Sequence, residues 1–375
     1  MIKGLKMKKN LFIYAFFIMV LAILVGITLK VRLETPKNLR QSTISQWNSK
    51  FIRQTGNSAY VASKSSRKKT TVLSEGQGYG MLIAVKGATS SQADQKKFDQ
   101  LDRYYLANRD GKTNLMSWKQ TLNSKGQRIR KYQNSATDGD LYIAYSLIEA
   151  AKKWPKKANF YQRQAQTLLA DILKYDYNSK TQELMVGNWA AHSRYQTMLR
   201  TSDVLPAQFD AFYKLTGNRT WVTIKQAMLK SLVSLSKQHR TGLIPDFAWI
   251  KKKQTVAVKA GTVSSKYDGD YYYNACRLPY NLAQSKDRLS QRILNKMMNF
   301  FMKQEYISGG YRLNGRRLNH YQSASFGAPI FFAANHNAKF SKLVQSEKYI
   351  FIQSLNANNY YQSALTILTT LGTFK

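Results

Sequence analysis

Glu75 is the first residue of this chain whose surroundings suggest chemistry. It stands among glycines in Ser74-Glu75-Gly76-Gln77-Gly78-Tyr79-Gly80-Met81, in a protein with 20 Asp and Glu against 58 Lys and Arg. A glutamate so placed suits a general acid, because glycines let backbone approach a ligand and remove side chains that would block it. Tyr79 adds a flat ring of the kind sugars stack on. The same stretch also reads as a glycine-rich turn, capped by Ser74, ahead of the apolar run Met81-Leu82-Ile83-Ala84-Val85. Further on comes Ala136-Thr137-Asp138-Gly139-Asp140-Leu141-Tyr142-Ile143-Ala144, leading through Ala150 to Trp154. Asp138 and Asp140 open a segment of helical periodicity, where carboxylates complement exposed amides and the helix dipole whatever else they do.

Taken together, the two motifs resemble glycoside hydrolase family 8. Its inverting hydrolases of β-1,4-linked polysaccharides carry an S-E-G-Q-x-Y-G-M segment and an A-[ST]-D-[AG]-D-x-x-I-A signature. Shorter echoes appear at Leu115-Met116-Ser117-Trp118, Ser202-Asp203-Val204-Leu205-Pro206 and Tyr273-Asn274-Ala275-Cys276-Arg277, so the resemblance runs from about Arg40 to near the C-terminus. It implies that Glu75 is the acid, its pKa raised by partial burial, and that Asp138 stays ionised beneath the sugar being cleaved. It makes Trp118, Tyr79 and Tyr142 candidate stacking platforms, although aromatics on apolar helix faces also serve as core. Arg277 is expected to orient a cleft carboxylate.

One position departs from the family's commonest pattern, Y-D-A-x-R, whose aspartate is the base. This chain has Asn274 there, and an amide cannot take a proton from water. The resemblance is therefore to the branch, including chitosanases and some β-glucanases, that draws its base from an acid on a neighbouring loop. Asp246, Asp268 and Asp270 are the nearby acids. Asp270 is the expected base, on a helical segment one turn before Asn274, with helix capping as its alternative role and Asn274 left to orient water. Inversion needs the acid and base carboxyls roughly 6.5–9.5 Å apart.

These residues need elements to hold them. Apolar residues recur at helical spacing in Leu141, Ala144, Tyr145, Ile148 and Ala151, in Tyr161, Ala165, Leu168, Leu169 and Ile172, and in Leu289, Ile293, Met297 and Phe301. About a dozen such helices, with few convincing strands and no long linker, predict one all-α domain. The family resemblance implies an (α/α)6 barrel with its cleft across one end.

Residues 11–29 carry no charge and follow Lys3, Lys6, Lys8 and Lys9. That length spans a bilayer and the positive flank orients it, so the chain divides into a cytoplasmic tail at 1–10, a transmembrane anchor at 11–29, a linker at 30–37 and an enzyme domain at 38–375. Val25-Gly26-Ile27-Thr28 is a poor cleavage site, which favours an uncleaved anchor and an enzyme domain outside a bacterial cell. Net charge is +38, of which residues 38–375 retain nearly all. Scattered Lys-Lys pairs without a recognised module argue against nucleic acid, and leave anionic lipid or wall polymer as partners besides the polysaccharide. Chitosan, itself cationic, fits poorly beside such charge; a neutral or acidic β-1,4-glycan fits better. Cys276 is the only cysteine, so no internal disulfide forms, and four histidines lack zinc-site spacing. No cofactor or metal is expected, and the domain is expected to be a monomer. A catalytically impaired glycan receptor of the same fold is the alternative function.

Overall fold

The structure is a computed structural model that describes residues 2–33 and 35–374, with side chains described for 10–26 and 35–374. Helices α1 (Ile2–Leu33) and α2 (Pro36–Phe51) come first, followed by α3 (Ser74–Gly87), α4 (Gln92–Ala107), α5 (Thr137–Lys153) and α6 (Ala158–Tyr175). Then come α7 (Pro206–Thr216), α8 (Thr220–Lys237), α9 (Leu278–Ala283), α10 (Arg288–Phe301), α11 (Ala324–Asn335), α12 (Ser341–Glu347) and α13 (Tyr360–Thr373). Contacts run α3 to α5, α5 to α7, α7 to α9, α9 to α11, α11 to α13 and α13 back to α3, closing an inner ring. Each inner helix is backed by an outer one: α4 on α3, α6 on α5, α8 on α7, α10 on α9, α12 on α11 and α2 on α13. This is the (α/α)6 arrangement that the resemblance implies.

Sequence explains which helix lies where. In α6 the buried residues are Tyr161, Ala165, Leu168, Leu169 and Ile172, one stripe on an otherwise polar helix, as an outer position requires. Helix α5 is buried on nearly every side, from Thr137 to Ala151, which suits an inner position. The ring is stapled shut at its ends by Arg40 of α2, whose Nη1 donates to the carbonyls of Leu371 and Phe374 at 2.7 and 2.8 Å. Leu371 lies in the last turn of α13 and Phe374 directly after it, so neither carbonyl has a partner within the helix.

The expectation of few strands needs correction. Strands β1 (Ile52–Thr55), β2 (Ser58–Val61), β3 (Lys64–Ser65), β4 (Lys69–Leu73), β5 (Lys119–Asn123), β6 (Arg128–Lys131), β7 (Tyr177–Asn178), β8 (Glu183–Leu184), β9 (Met198–Arg200), β10 (Phe247–Ile250) and β11 (Thr255–Ala257) form four small antiparallel sheets. They are two to five residues long, and several are polar on both faces, so no period-2 pattern announces them. Their ends position the site. Leu73 of β4 pairs with Lys119 of β5, and Ser74 N donates to Trp118 O at 3.0 Å, bringing Trp118 beside the start of α3. Arg200 of β9 pairs with Phe247 of β10, directly after Asp246.

Two glycines set how closely α3 and α5 approach. A Cβ on Gly139 would sit 2.6 Å from Ser74 Cβ, and one on Gly78 would sit 2.8 Å from Tyr142 Cβ. Both are impossible contacts, so glycine here brings the first turns of α3 and α5 together, and with them Glu75 and Asp138. The segment Ser74–Gly87 is thus helix rather than a capped turn, and Ser74 makes no cap bond.

The N-terminal expectations are modified. Among the described residues no helix is long and apolar enough to cross a membrane. Part of the expected span at 11–29 lies outside the described side chains. Within it, Leu11, Phe12, Phe17, Ile18 and Leu24 are all more than half exposed on α1. The expected linker at 30–37 is shorter than read from sequence: Pro36 opens α2, with Thr35 Oγ1 accepting from Asn38 N, because proline suits the first helical position.

Candidate active site

Glu75 lies in the first turn of α3 and Asp138 in the first turn of α5, and one guanidinium joins them. Arg277 ends a short 3-10 turn, Ala275–Arg277, and is only 2% exposed. Its Nη1 donates to Glu75 Oε1 at 2.9 Å, to Tyr79 Oη at 2.9 Å and to Asp138 Oδ2 at 3.4 Å. Its Nη2 donates to Ser202 Oγ at 2.7 Å and Asn274 Oδ1 at 2.9 Å. Tyr360, opening α13, donates to the other oxygen of Glu75 at 2.8 Å. Arg200 pairs with Asp138 Oδ1 at 2.9 Å and with Asp203 Oδ1 at 2.8 Å. Elements far apart in sequence thus meet on two arginines.

The two carboxyls are driven in opposite directions. Burial pushes Glu75 up, the Arg277 charge opposes it, and the neighbouring charge of Asp138 adds to the rise. Burial also acts upward on Asp138, but the charges of Arg200 and then Arg277 overcome it and hold Asp138 below the usual aspartate range. One carboxyl is therefore poised to carry a proton while its neighbour stays ionised, the pattern by which paired titratable groups divide acid and charge-stabilising roles. Legs of 2.9 and 3.4 Å from one nitrogen put the facing oxygens of Glu75 and Asp138 no more than 6.3 Å apart. Both Asp138 oxygens are already met by arginine, Oδ1 by Arg200 and Oδ2 by Arg277, so the loop acids are the further candidates for a base.

Three loop acids are candidates, and they differ sharply. Asp246 is consumed: its Oδ1 accepts from Tyr272 N and Ala275 N at 3.0 and 2.7 Å, and its Oδ2 from Asn274 N and Nδ2 at 3.0 and 3.3 Å. Burial still pushes it up to about 7. Asp268 is likewise spent on three backbone amides, those of Val263, Ser264 and Ser265. Among the described residues Asp270 has one oxygen free of protein hydrogen bonds, the other accepting from the half-exposed Arg312 at 3.0 Å. It does not lie on a helix, which corrects the expectation: residues 268–274 are turns around the Tyr271–Tyr311 bridge, so one-turn spacing to Asn274 does not apply and Asp270 caps nothing. Asn274 accepts from Arg277 through Oδ1 and donates to Asp246 through Nδ2, which fixes its amide while leaving one N–H and one lone pair for water.

Of the expected stacking residues, Tyr79 and Tyr142 are buried, 4.7 Å apart, and form the floor beneath Arg277 instead of an open platform. Tyr142 donates to Asn281, which in turn donates to Ser202 O. Trp118 remains partly exposed and packs edge-on against Tyr132 at 5.4 Å. Asp140 turns away from the arginines and accepts from Met116 N at 2.7 Å, tying the Leu115–Trp118 loop to α5. Cys276 is buried, which pushes its thiol up to about 12 and removes it from chemistry at neutral pH. Arg200 and Tyr360 escape sequence reading. Arg200 stands two residues before the Ser202-Asp203 echo, which was a signal; Tyr360 lies in no motif.

Residues 24–375 match the family model of glycosyl hydrolases family 8. The chain belongs to this family. It is an inverting glycoside hydrolase. A beta-glucanase from Niallia circulans is 28% identical over 340 residues, covering 87% of this chain and 81% of that protein. An endoglucanase from Bacillus sp. strain KSM-330 is 32% identical over 286 residues, covering 73% of this chain and 60% of its own length. Among solved structures, apo beta-1,3-1,4-glucanase from Paenibacillus sp. X4 has a TM-score of 0.82 at 27% identity, covering 91% of this chain and 94% of that one. Rex8A from Paenibacillus barcinonensis, complexed with xylose, has a TM-score of 0.71 over 92% and 95% of the two chains, at 19% identity, and so shares the fold.

Tyr360 offers a test of this family 8 site. Its hydroxyl donates to Glu75 and so favours the carboxylate; removing it raises the pKa of Glu75 further. In Tyr360→Phe the alkaline limb of kcat/KM should move to higher pH, because the acid keeps its proton longer. A limb that stays in place or moves down would contradict the assignment of that limb to Glu75.

Proposed function

We propose that this chain is a membrane-anchored, extracellular endo-hydrolase of a neutral or acidic β-1,4-linked glucan, with Glu75 as general acid, Asp138 as the ionised group under the cleaved sugar and Asp270 as base. The observation that carries the reading is the pair of carboxyls split by two arginines. Glu75 gives its proton to the glycosidic oxygen as the bond to the anomeric carbon breaks, and water adds to that carbon from the opposite face, losing a proton to Asp270. Asp138, held ionised, offsets positive charge developing on the ring. Asp270 is favoured over Asp246 and Asp268 because it alone retains a free oxygen. The glucan assignment rests on the beta-glucanase and endoglucanase names of the relatives and on a basic surface that disfavours a cationic polymer. The beta-glucanase and endoglucanase relatives favour hydrolysis over the receptor alternative.

Glu75→Gln keeps the side-chain shape and removes the proton, so turnover of β-glucan should fall by about 10²–10⁴-fold or more with binding retained. Asp270→Asn should be comparably inactive, and azide should rescue Asp270→Ala. Full activity in Asp270→Asn would move the base to another loop; full activity in Glu75→Gln would end the mechanism.

The anchor rests on an uncharged stretch at 11–29 behind four lysines and on apolar side chains exposed around α1. The full chain should resist extraction from membranes by alkaline carbonate and be released by detergent. Release by carbonate alone would reject the anchor.

A further inference from the structure

Away from the cleft, the turn between β7 and β8, helix α8 and the tip of the β10–β11 hairpin enclose a pocket of about 440 Å³. Lys230 of α8 and Lys251, Lys252 and Lys253 of the hairpin tip line it, and all four are exposed. Three surface lysines on other elements are paired, Lys97 with Asp94, Lys152 with Glu149 and Lys157 with Asp99, each within 3.2 Å. None of the four pocket lysines has such a partner within 4.0 Å among the described residues. Acids that might have balanced them lie inside the protein, Asp102, Asp138, Asp140, Asp176, Asp203 and Asp246 among them. Four like charges gathered at one concavity repel each other, and an anion relieves that repulsion.

The floor adds a second requirement. Glu183 lines the pocket and is 3% exposed. Its Oε1 accepts from Ser231 Oγ at 2.6 Å, while its Oε2 has no hydrogen-bond partner among the described residues. A buried carboxyl oxygen left unpaired is costly, and a hydroxyl from a ligand would offset that cost. Burial pushes Glu183 up to about 7, so near neutrality the carboxyl can meet a hydroxyl either as donor or as acceptor. A bare anion satisfies the rim and not the floor; a cation is repelled by the rim.

We propose that this pocket is a second binding site, for polyol-phosphate chains, in which the lysines hold phosphodiesters and Glu183 pairs with a polyol hydroxyl. Lysine suits phosphate as a point charge, and a flexible polyol chain can present both groups within one pocket. The first lysine of the hairpin tip, Lys251, stands about 16 Å along β10 from Asp246, at roughly 3.3 Å per residue. Such a site would hold the hydrolase against a phosphate-bearing envelope without occupying the cleft. Two sources present this chemistry, a glycerol-bearing lipid headgroup and a polyol-phosphate wall polymer.

The test uses the full chain in nonionic detergent at physiological ionic strength, with binding read by calorimetry for a glycerol-phosphate oligomer, for glycerophosphoglycerol and for inorganic phosphate. The oligomer should bind, and inorganic phosphate should bind at least about tenfold more weakly than either hydroxyl-bearing probe, a factor of about 1.4 kcal/mol. Equal affinity for oligomer and glycerophosphoglycerol would point to the headgroup; preference for the oligomer would point to wall polymer. Replacing Lys230, Lys251, Lys252 and Lys253 by alanine should weaken oligomer binding at least about tenfold and leave β-glucan hydrolysis unchanged, whereas replacing Lys96, Lys125, Lys156 and Lys339 should change it less than about twofold. Equal losses in both sets, or tighter binding of a polyuronate than of the oligomer, would overturn the proposal.

Discussion

Everything at the catalytic end of this barrel depends on one buried cation. Arg277, 2% exposed, is held by Glu75 and Tyr79 of α3, Asp138 of α5, Ser202 and Asn274. A guanidinium without water costs several kcal/mol unless its donors are matched, and leaving such a charge unpaired costs about 3–5 kcal/mol. The surrounding elements are therefore constrained to meet there. With Arg200 it makes two positive charges facing three carboxyls, those of Glu75, Asp138 and Asp203. Three full negative charges would exceed the cations, and in a low-dielectric setting the excess is relieved by keeping a proton. Asp203 is pushed up to about 6 by burial against Arg200, Asp138 is held low by both arginines, and Glu75 touches one arginine only. The same count that stabilises the cluster favours the protonated form of Glu75.

A second constraint is steric. The carboxyls share a guanidinium only because α3 and α5 touch at their first turns, and they touch there because Gly78 and Gly139 have no Cβ. A glycine-rich motif that reads as access for a ligand serves equally as close packing between helices. Neither helix start carries a side-chain cap, and both instead place an acid in the first turn, where it meets the dipole and the arginines together. The cost of gathering acids inside shows outside: buried carboxyls cannot balance surface lysines, which leaves the exterior strongly basic.

Legibility followed the kind of signal each part of the chain carries. Helix α6 was readable because its buried stripe repeats at 3.6 residues, and α5 because its motif is long. The strands were not readable, since pairs such as Tyr177–Asn178 and Glu183–Leu184 are set by their partners and too short for any period. Glu75, Asp138 and Arg277 stood out because their motifs were continuous. Arg200 and Tyr360 did not, because they reach the site through a strand end and a final helix that only folding brings near. The helical spacing that points to Asp270 does not exist in the fold, and what distinguishes it from Asp246 and Asp268 is a free oxygen, a property of backbone geometry that no spacing encodes. Tyr79 and Tyr142 looked like sugar platforms by residue type, yet their place under Arg277 follows from packing.

The central claim is that the protein holds a proton on Glu75 while Asp138 beside it is ionised. Infrared difference spectra between the intact chain and Glu75→Gln, recorded from the ordinary glutamate pKa of about 4.3 upward, read this directly. The account predicts that the substitution removes a protonated-carboxyl band above that pKa, and that the corresponding Asp138→Asn difference removes only an ionised-carboxylate band. Loss of a carboxylate band alone from Glu75→Gln, with a protonated band assigned to Asp138, would contradict it.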